Sequence, residues 1–204
     1  MSDRNLDPTL ASDSTLVSGF VDHLAERLLK TRTLYLTGGV DDRVSYRLVS
    51  SFLTLDAEAP GEPITFYLNS PGGSVTAGFS IFDTMQFIES PVTVVCTGLC
   101  ASIGTVILLG AAKGKRLSMP NARFLIHQPL IPSHIFGPAS DLEITAKEIL
   151  KTRQRINELL SKECNQPIER VERDTQRDYW MDVEEAVDYG LVDNVVESRK
   201  ALSA

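Results

Sequence analysis

Apolar positions along the chain fall into two alternating rhythms. Val17, Phe20, Val21, Leu24, Leu28 and Leu29 recur three or four residues apart, which predicts an amphipathic helix over about residues 18–30. The compact run Thr33-Leu34-Tyr35-Leu36-Thr37 predicts a strand closed by Gly38-Gly39. Helical spacing returns from Asp41 to Ala57, with Asp41 or Asp42 as cap, until Pro60-Gly61-Glu62-Pro63 breaks it. Ile64 to Leu68 is the next strand and runs straight into Asn69-Ser70-Pro71-Gly72-Gly73. Thr76 to Ile88 is a helix apolar on more than one side, which places it between layers of the core. A strand from Val92 to Cys96 and a helix from Thr105 to Ala112 flank a stretch of small residues, Gly98-Leu99-Cys100-Ala101-Ser102-Ile103-Gly104.

Two short strands follow, Leu117 to Met119 and Ala122 to His127, around the turn Pro120-Asn121. Residues 130–140 have no period and contain two prolines, so they read as a loop. A long helix from Asp141 to Cys164 carries charges on much of its length and an apolar stripe at Leu142, Ile149, Ile156, Leu159 and Leu160, a pattern that suits a projecting or surface helix. Short helices at Ile168–Asp174 and Val183–Tyr189, the latter stopped by Gly190, precede a last strand at Leu191–Val196. Strand and helix alternate from the start, so the fold class is α/β with a mainly parallel sheet.

Composition narrows what such a domain does. The 204 residues, 43% of them hydrophobic, suffice for one sizeable core with appendages. The formal charge of −7 is interspersed, so no basic stripe is offered to nucleic acid. Cys96, Cys100 and Cys164 make no closed disulfide set and no C-x-x-C pair, which fits a reducing compartment. The acidic start, Met1 to Asp13, lacks a basic segment followed by an apolar run, and the longest apolar run, Ile103 to Ala112, falls short of the roughly 20 residues that cross a bilayer. The expectation is a cytoplasmic protein with no membrane partner.

Ser102 stands at a strand-to-helix junction, where unpaired backbone N–H groups and the helix dipole favour a nucleophile; the plain alternative is a helix cap. Among three histidines, His23 lies on the first helix and His134 in the loop, whereas His127 ends an apolar strand and is the best general base. A strand-end histidine satisfied by backbone is the competing reading. A carboxylate must orient the imidazole, and composition leaves Asp174, Asp178, Asp182, Asp188 and Asp193 open. Gly72-Gly73 is either a tight turn after Pro71 or a supplier of backbone N–H groups to an oxyanion, and both can hold together. The order serine, histidine, aspartate and the absence of glycine at Cys100 set aside the α/β-hydrolase, chymotrypsin-like and subtilisin-like families.

Asn69-Ser-Pro-Gly-Gly73, Gly98-x-x-Ala-Ser102-x-Gly104, Gly110 to Arg116, Pro120 to Pro129 and Glu172-Arg-Asp-Thr-Gln-Arg-Asp178 together resemble the ClpP family, the proteolytic subunits of ATP-dependent Clp proteases. The resemblance runs from about Leu28 to Val196. It implies a ClpP/crotonase-like fold of repeated β-β-α units with a projecting handle helix, about 141–164, that interdigitates between two stacked heptameric rings. It also implies a mobile, pore-lining arm at 1–19, a peptidase domain at 20–196 and a polar tail at 197–204. Carried over residue by residue, Ser102 is the nucleophile, His127 the base, Asp178 the orienting carboxylate, Gly73 and Ile103 the oxyanion N–H donors, and Arg177 a residue that couples ring contact to the triad. No metal or organic cofactor is implied. ATP belongs to a hexameric AAA+ unfoldase partner, since this chain has no G-x-x-x-x-G-K-[ST] loop.

Two segments depart from the family pattern. Residues 1–19 lack its apolar, proline-containing pore segment, and the loop from Pro129 to Gly137 lacks the usual glycine pair and runs about two residues longer. Cys100 and Ile103 stand where Ala and Met are commoner. These departures suggest, as an alternative, a divergent paralogue that is weak or inactive alone and serves a mixed assembly as a regulatory or scaffold subunit. Acyl-CoA chemistry on the same fold is a further alternative, against which the Ser102, His127 and Asp178 set argues.

Overall fold

A computed structural model describes residues 23–130 and 137–202. The arm at 1–19, the start of the first helix, and residues 131–136 of the loop with His134 lie outside the described residues. In chain order the described elements are α1 (23–30), β1 (Thr33–Thr37), α2 (Asp42–Glu58), β2 (Ile64–Ser70), α3 (Val75–Phe87), β3 (Val92–Ala101), α4 (Ile103–Leu109), β4 (Arg116–Ser118), β5 (Arg123–Ile126), α5 (Ala139–Cys164), α6 (Ile168–Asp174), β6 (Tyr179–Met181), α7 (Val183–Tyr189) and β7 (Asn194–Val195), with a 3-10 turn at Arg199–Leu202.

The sheet runs β1-β2-β3-β4-β7, all parallel, with β5 pairing the second half of β3 and β6 pairing β5 antiparallel. Strand interiors are apolar on the faces that helices cover: Leu34 and Leu36 of β1, Ile64, Phe66 and Leu68 of β2, and Val94 and Cys96 of β3 are buried in one core. Phe52 of α2 meets Phe66 edge to face at 5.5 Å between ring centroids. Asp41 caps α2 through its carboxylate, Ser74 caps α3, and Asp182 closes a capping box with Glu185 on α7.

The helix read at Thr105–Ala112 starts earlier and stops earlier, at Ile103–Leu109, and the last strand shrinks from Leu191–Val196 to Asn194–Val195; four further details differ from the pattern read along the chain. β3 extends five residues past Cys96 to Ala101, because Gly98 takes φ +68° and bulges out while the ladder resumes at Ser70 and Cys100. α3 is not covered all round: Phe79, Ile81 and Met85 are buried, while Phe87 is 82% exposed. Only the C-terminal half of α5 packs on the core, through Ile156, Leu160 and Cys164; Leu142, Ile144 and Leu150 are exposed. β6 has no counterpart in the periodic reading. Its three residues form a strand because β5 offers an open edge.

Arg116 locks α4 to the base of α5. Its guanidinium, 2% exposed, donates to the carbonyls of Ala111, Leu109 and Glu163 and pairs with the Glu163 carboxylate. Burial alone would raise the Glu163 carboxyl, but the hydrogen bond and charge of Arg116, helped by Lys162, hold it below its ordinary value.

Candidate active site

The site is assembled where β3 changes partner. Its first half pairs with β2 and β4, and its second half, Leu99 to Ala101, pairs with Arg123 to Leu125 of β5. The bulge that permits the switch is held by Asn69, whose Oδ1 accepts from Leu99 N–H at 3.0 Å; a Cβ on Gly98 would lie 3.0 Å from that oxygen. β3 then feeds directly into α4, and Ser102 is the single residue between them. Its N–H donates to Leu125 at 2.8 Å, so the serine backbone is fixed to β5.

Ser102 occupies φ 56°, ψ −126°, a conformation that L-residues rarely adopt and that costs on the order of 1–3 kcal/mol. It sits at the cap position of α4, yet its side chain makes no capping hydrogen bond. The cap reading of this serine is therefore wrong. The strained turn aims Oγ away from the helix, 2.8 Å from His127 Nε2. Gly78 on α3 lets the Ile103 side chain pack against its backbone, which seats the first turn of α4.

His127 follows the buried run Phe124-Leu125-Ile126 of β5, and its side chain is 12% exposed. β6 lies antiparallel to β5 with Ile126 opposite Tyr179, so the residue after Ile126 and the residue before Tyr179 are neighbours. Those residues are His127 and Asp178. Asp178 Oδ1 lies 3.4 Å from His127 Nδ1, and its side chain is 65% exposed. Of the five aspartates left open by composition, Asp178 is the one placed on the imidazole. Asp193 instead accepts from the N–H groups of Gly114 and Arg116, Asp182 caps α7, and Asp174 pairs with Arg170 and Arg173. Arg177 is exposed beside Asp178.

Gly72 and Gly73 turn against the nucleophile: a Cβ on Gly72 would fall 2.6 Å from Ser102 Cβ and 3.2 Å from Oγ. Ser70 shapes the turn, accepting from Gly72 N–H at 3.1 Å while donating to the Gly38 carbonyl at 2.7 Å. Gly73 bridges Val40 in parallel fashion, flanked by Val40 N–H to Gly72 O and Ser74 N–H to Val40 O. The N–H groups of Gly73 and of Ile103, the first of α4, have no backbone acceptor among the described residues. A narrow cavity of about 20 Å³ opens beside Ser102 and His127, lined by Val75, Thr105, Val106, Ile126, Ile156 and Leu160.

Residues that spacing did not point to also hold the site. Gln128 N–H donates to the Thr175 carbonyl at 2.7 Å, and the Gln128 amide donates to Gln176 O at 2.8 Å. The signal in the sequence was faint: Asn157, which meets Thr175, is a polar residue at a position of α5 that the apolar stripe makes core-facing. Among the described residues no group of three or more His, Cys, Asp or Glu side chains is placed to hold a metal, and no helix is long and apolar enough to cross a membrane.

A serine hydroxyl hydrogen-bonded to an imidazole, with a carboxylate 3.4 Å from the other ring nitrogen and a turn whose N–H groups lack backbone acceptors, is an arrangement that can perform acyl transfer. A family model described as Clp protease matches residues 18–199, nearly the whole chain. The chain therefore belongs to the Clp protease family and is a ClpP-type protein.

Proposed function

We propose that this chain is a serine endopeptidase subunit that hydrolyses unfolded polypeptides in a chamber formed by two stacked heptameric rings. The observation that carries the reading is the 2.8 Å contact between Ser102 Oγ and His127 Nε2, with Asp178 on the opposite ring nitrogen. His127 takes the Ser102 proton as Oγ attacks the peptide carbonyl, and Asp178 holds the imidazole in orientation and stabilises it when charged. The Gly73 and Ile103 N–H groups receive the developing oxyanion. His127 then returns the proton to the leaving amine, and a water activated by the same imidazole hydrolyses the acyl-serine. This chemistry uses no metal or organic cofactor in the chain.

The polar, half-projecting α5 serves as the handle between rings, Arg177 couples that contact to Asp178, and residues 1–19 form the axial arm that meets a hexameric AAA+ unfoldase, which supplies the ATP-driven step. Residues 20–196 form the peptidase domain and 197–204 the tail. The protein acts in the cytoplasm. The exposure of Asp178 favours a second reading within the first: contacts from a neighbouring subunit complete the site, so a mixed assembly is more active than this chain alone.

A fluorophosphonate probe tests the proposal. Ser102 is expected to be labelled and a fluorogenic peptide cleaved, with both lost in Ser102→Ala; Asp178→Asn is expected to lower turnover by up to about 10⁴-fold. Labelling that survives Ser102→Ala, or none in the parent chain with or without a partner subunit, refutes it.

A further inference from the structure

Asn157 is 2% exposed and is the one polar residue of α5 that is fully buried, and a buried amide needs its hydrogen bonds accounted for. Its Oδ1 lies 3.0 Å from Thr175 Oγ1, itself fully buried, and the Thr175 hydroxyl hydrogen is shared with the Val171 carbonyl at 2.8 Å. The Thr175 carbonyl accepts from Gln128 N–H, and the Gln128 side chain donates to the Gln176 carbonyl. Gln128 follows His127 in the chain, and Gln176 precedes Asp178 by two residues. Two hydrogen bonds thus clamp the segment ending in Asp178 onto the residue next to the imidazole, and Asn157 anchors that clamp from α5.

The anchor matters because the carboxylate has little else to hold it. Asp178 is 65% exposed, and among the described residues His127 is the one polar partner of its side chain. Its distance to Nδ1 is therefore set by where the backbone from Thr175 to Asp178 runs. An apolar residue at 157 would leave the Thr175 hydroxyl with the Val171 carbonyl alone and cut the link from α5 to the Thr175 side chain.

We propose that Asn157 is a positioning residue, which through Thr175 and Gln128 sets the His127 to Asp178 geometry from the packed half of α5. The proposal rests on the serine-peptidase reading and adds to it a route by which the seating of α5 reaches the triad. A shift of α5 that withdraws Asn157 loosens the carboxylate without touching Ser102.

The test uses the full-length assembled protein and the second-order rate of Ser102 labelling by a fluorophosphonate, with melting temperature and particle size followed in parallel. Thr175→Val keeps shape and removes the hydroxyl, Thr175→Ser keeps the hydroxyl, and Asn157→Leu removes the anchor. Thr175→Val and Asn157→Leu are each expected to slow labelling at least about tenfold, within the roughly hundredfold that an ångström of misplacement costs. Thr175→Ser is expected to stay within about threefold of the parent, and the double variant to be no slower than its slower single, because both cut one linkage. Parent-like rates in Thr175→Val and Asn157→Leu, equal loss in Thr175→Ser and Thr175→Val, or multiplied losses in the double variant each overturn the proposal. Should Asn157→Leu fail to fold, the Thr175 pair decides alone. A parent chain that labels no faster than Ser102→Ala instead removes the serine-peptidase reading, a distinct outcome that takes this proposal with it.

Discussion

Replacing Arg116 by Met tests how the helix that starts at Ser102 is held. The guanidinium donates from Nε to Ala111 O at 2.8 Å, from Nη2 to Leu109 O at 3.3 Å and from Nη1 to Glu163 O at 3.1 Å, and it pairs with the Glu163 carboxylate, whose side chain is 19% exposed. Met fills most of the volume but leaves three carbonyls without the Arg116 donor and the Glu163 carboxylate with Lys162 alone, at 3.5 Å. Breaking a buried pair from one side costs about 3–5 kcal/mol, and water reaching the partly exposed Glu163 favours the lower end. At roughly 2–4 °C per kcal/mol for a chain of this size, melting falls by about 6–20 °C.

The loss depends on pH with a definite sign. Glu163 has its carboxyl lowered in the fold, so its pairing contributes in full above the ordinary value of 4.5 and is lost as pH falls through the lowered value. The gap between parent and Arg116→Met is expected to be widest at neutral pH and to narrow below about pH 4.5. Urea unfolding followed by the fluorescence of the single tryptophan, Trp180, measures it. A gap under about 1 kcal/mol at neutral pH would place the pair among ordinary surface ion pairs, and a gap that widens on acidification would reverse the sign; either refutes the reasoning.

Gly73→Ala forces a Cβ against the Val40 carbonyl, 2.8 Å from Val40 N, at φ +148°, and is expected to lower peptide turnover by about 10²–10³-fold as the oxyanion N–H is displaced; unchanged turnover would remove Gly73 from that role. Cys96, Cys100 and Cys164 are all buried, with burial pushing the Cys96 thiol well up and that of Cys164 to about 12, so the folded protein is expected to ignore Ellman's reagent and to release three equivalents in urea. Rapid reaction of a thiol in the native protein would contradict the packing of β3 or α5.

Long periodic segments were legible along the chain. β1, α6 and α7 fall where spacing and punctuation put them, and α2 and α5 agree within two residues at each end. Shorter pieces were not. Spacing ends β3 at Cys96, because a strand and a bulge around one glycine look like a strand and a loop until a neighbour resumes the ladder. β6 escaped because three residues, Tyr179-Trp180-Met181, carry no period, and their strand state comes from β5.

The same division runs through the site. Residue type and local pattern singled out Ser102, His127 and the glycine pair, since each stands at the end of an apolar run that predicts its own element. Local pattern also offered a cap as the role of Ser102, and it left five aspartates equal, because the partner of His127, 51 positions downstream, has no local signature. Tertiary structure decided both. The positive φ at Ser102 turns Oγ from the helix to the imidazole, and antiparallel pairing of β6 on β5 makes Asp178, not Asp174 or Asp193, the neighbour of His127. The stretch from Gly98 to Gly104 by itself marks only a junction of small residues between a strand and a helix, while its strand half, its strained turn and the meaning of its serine depend on β2, on β5 and on the strand that β5 recruits.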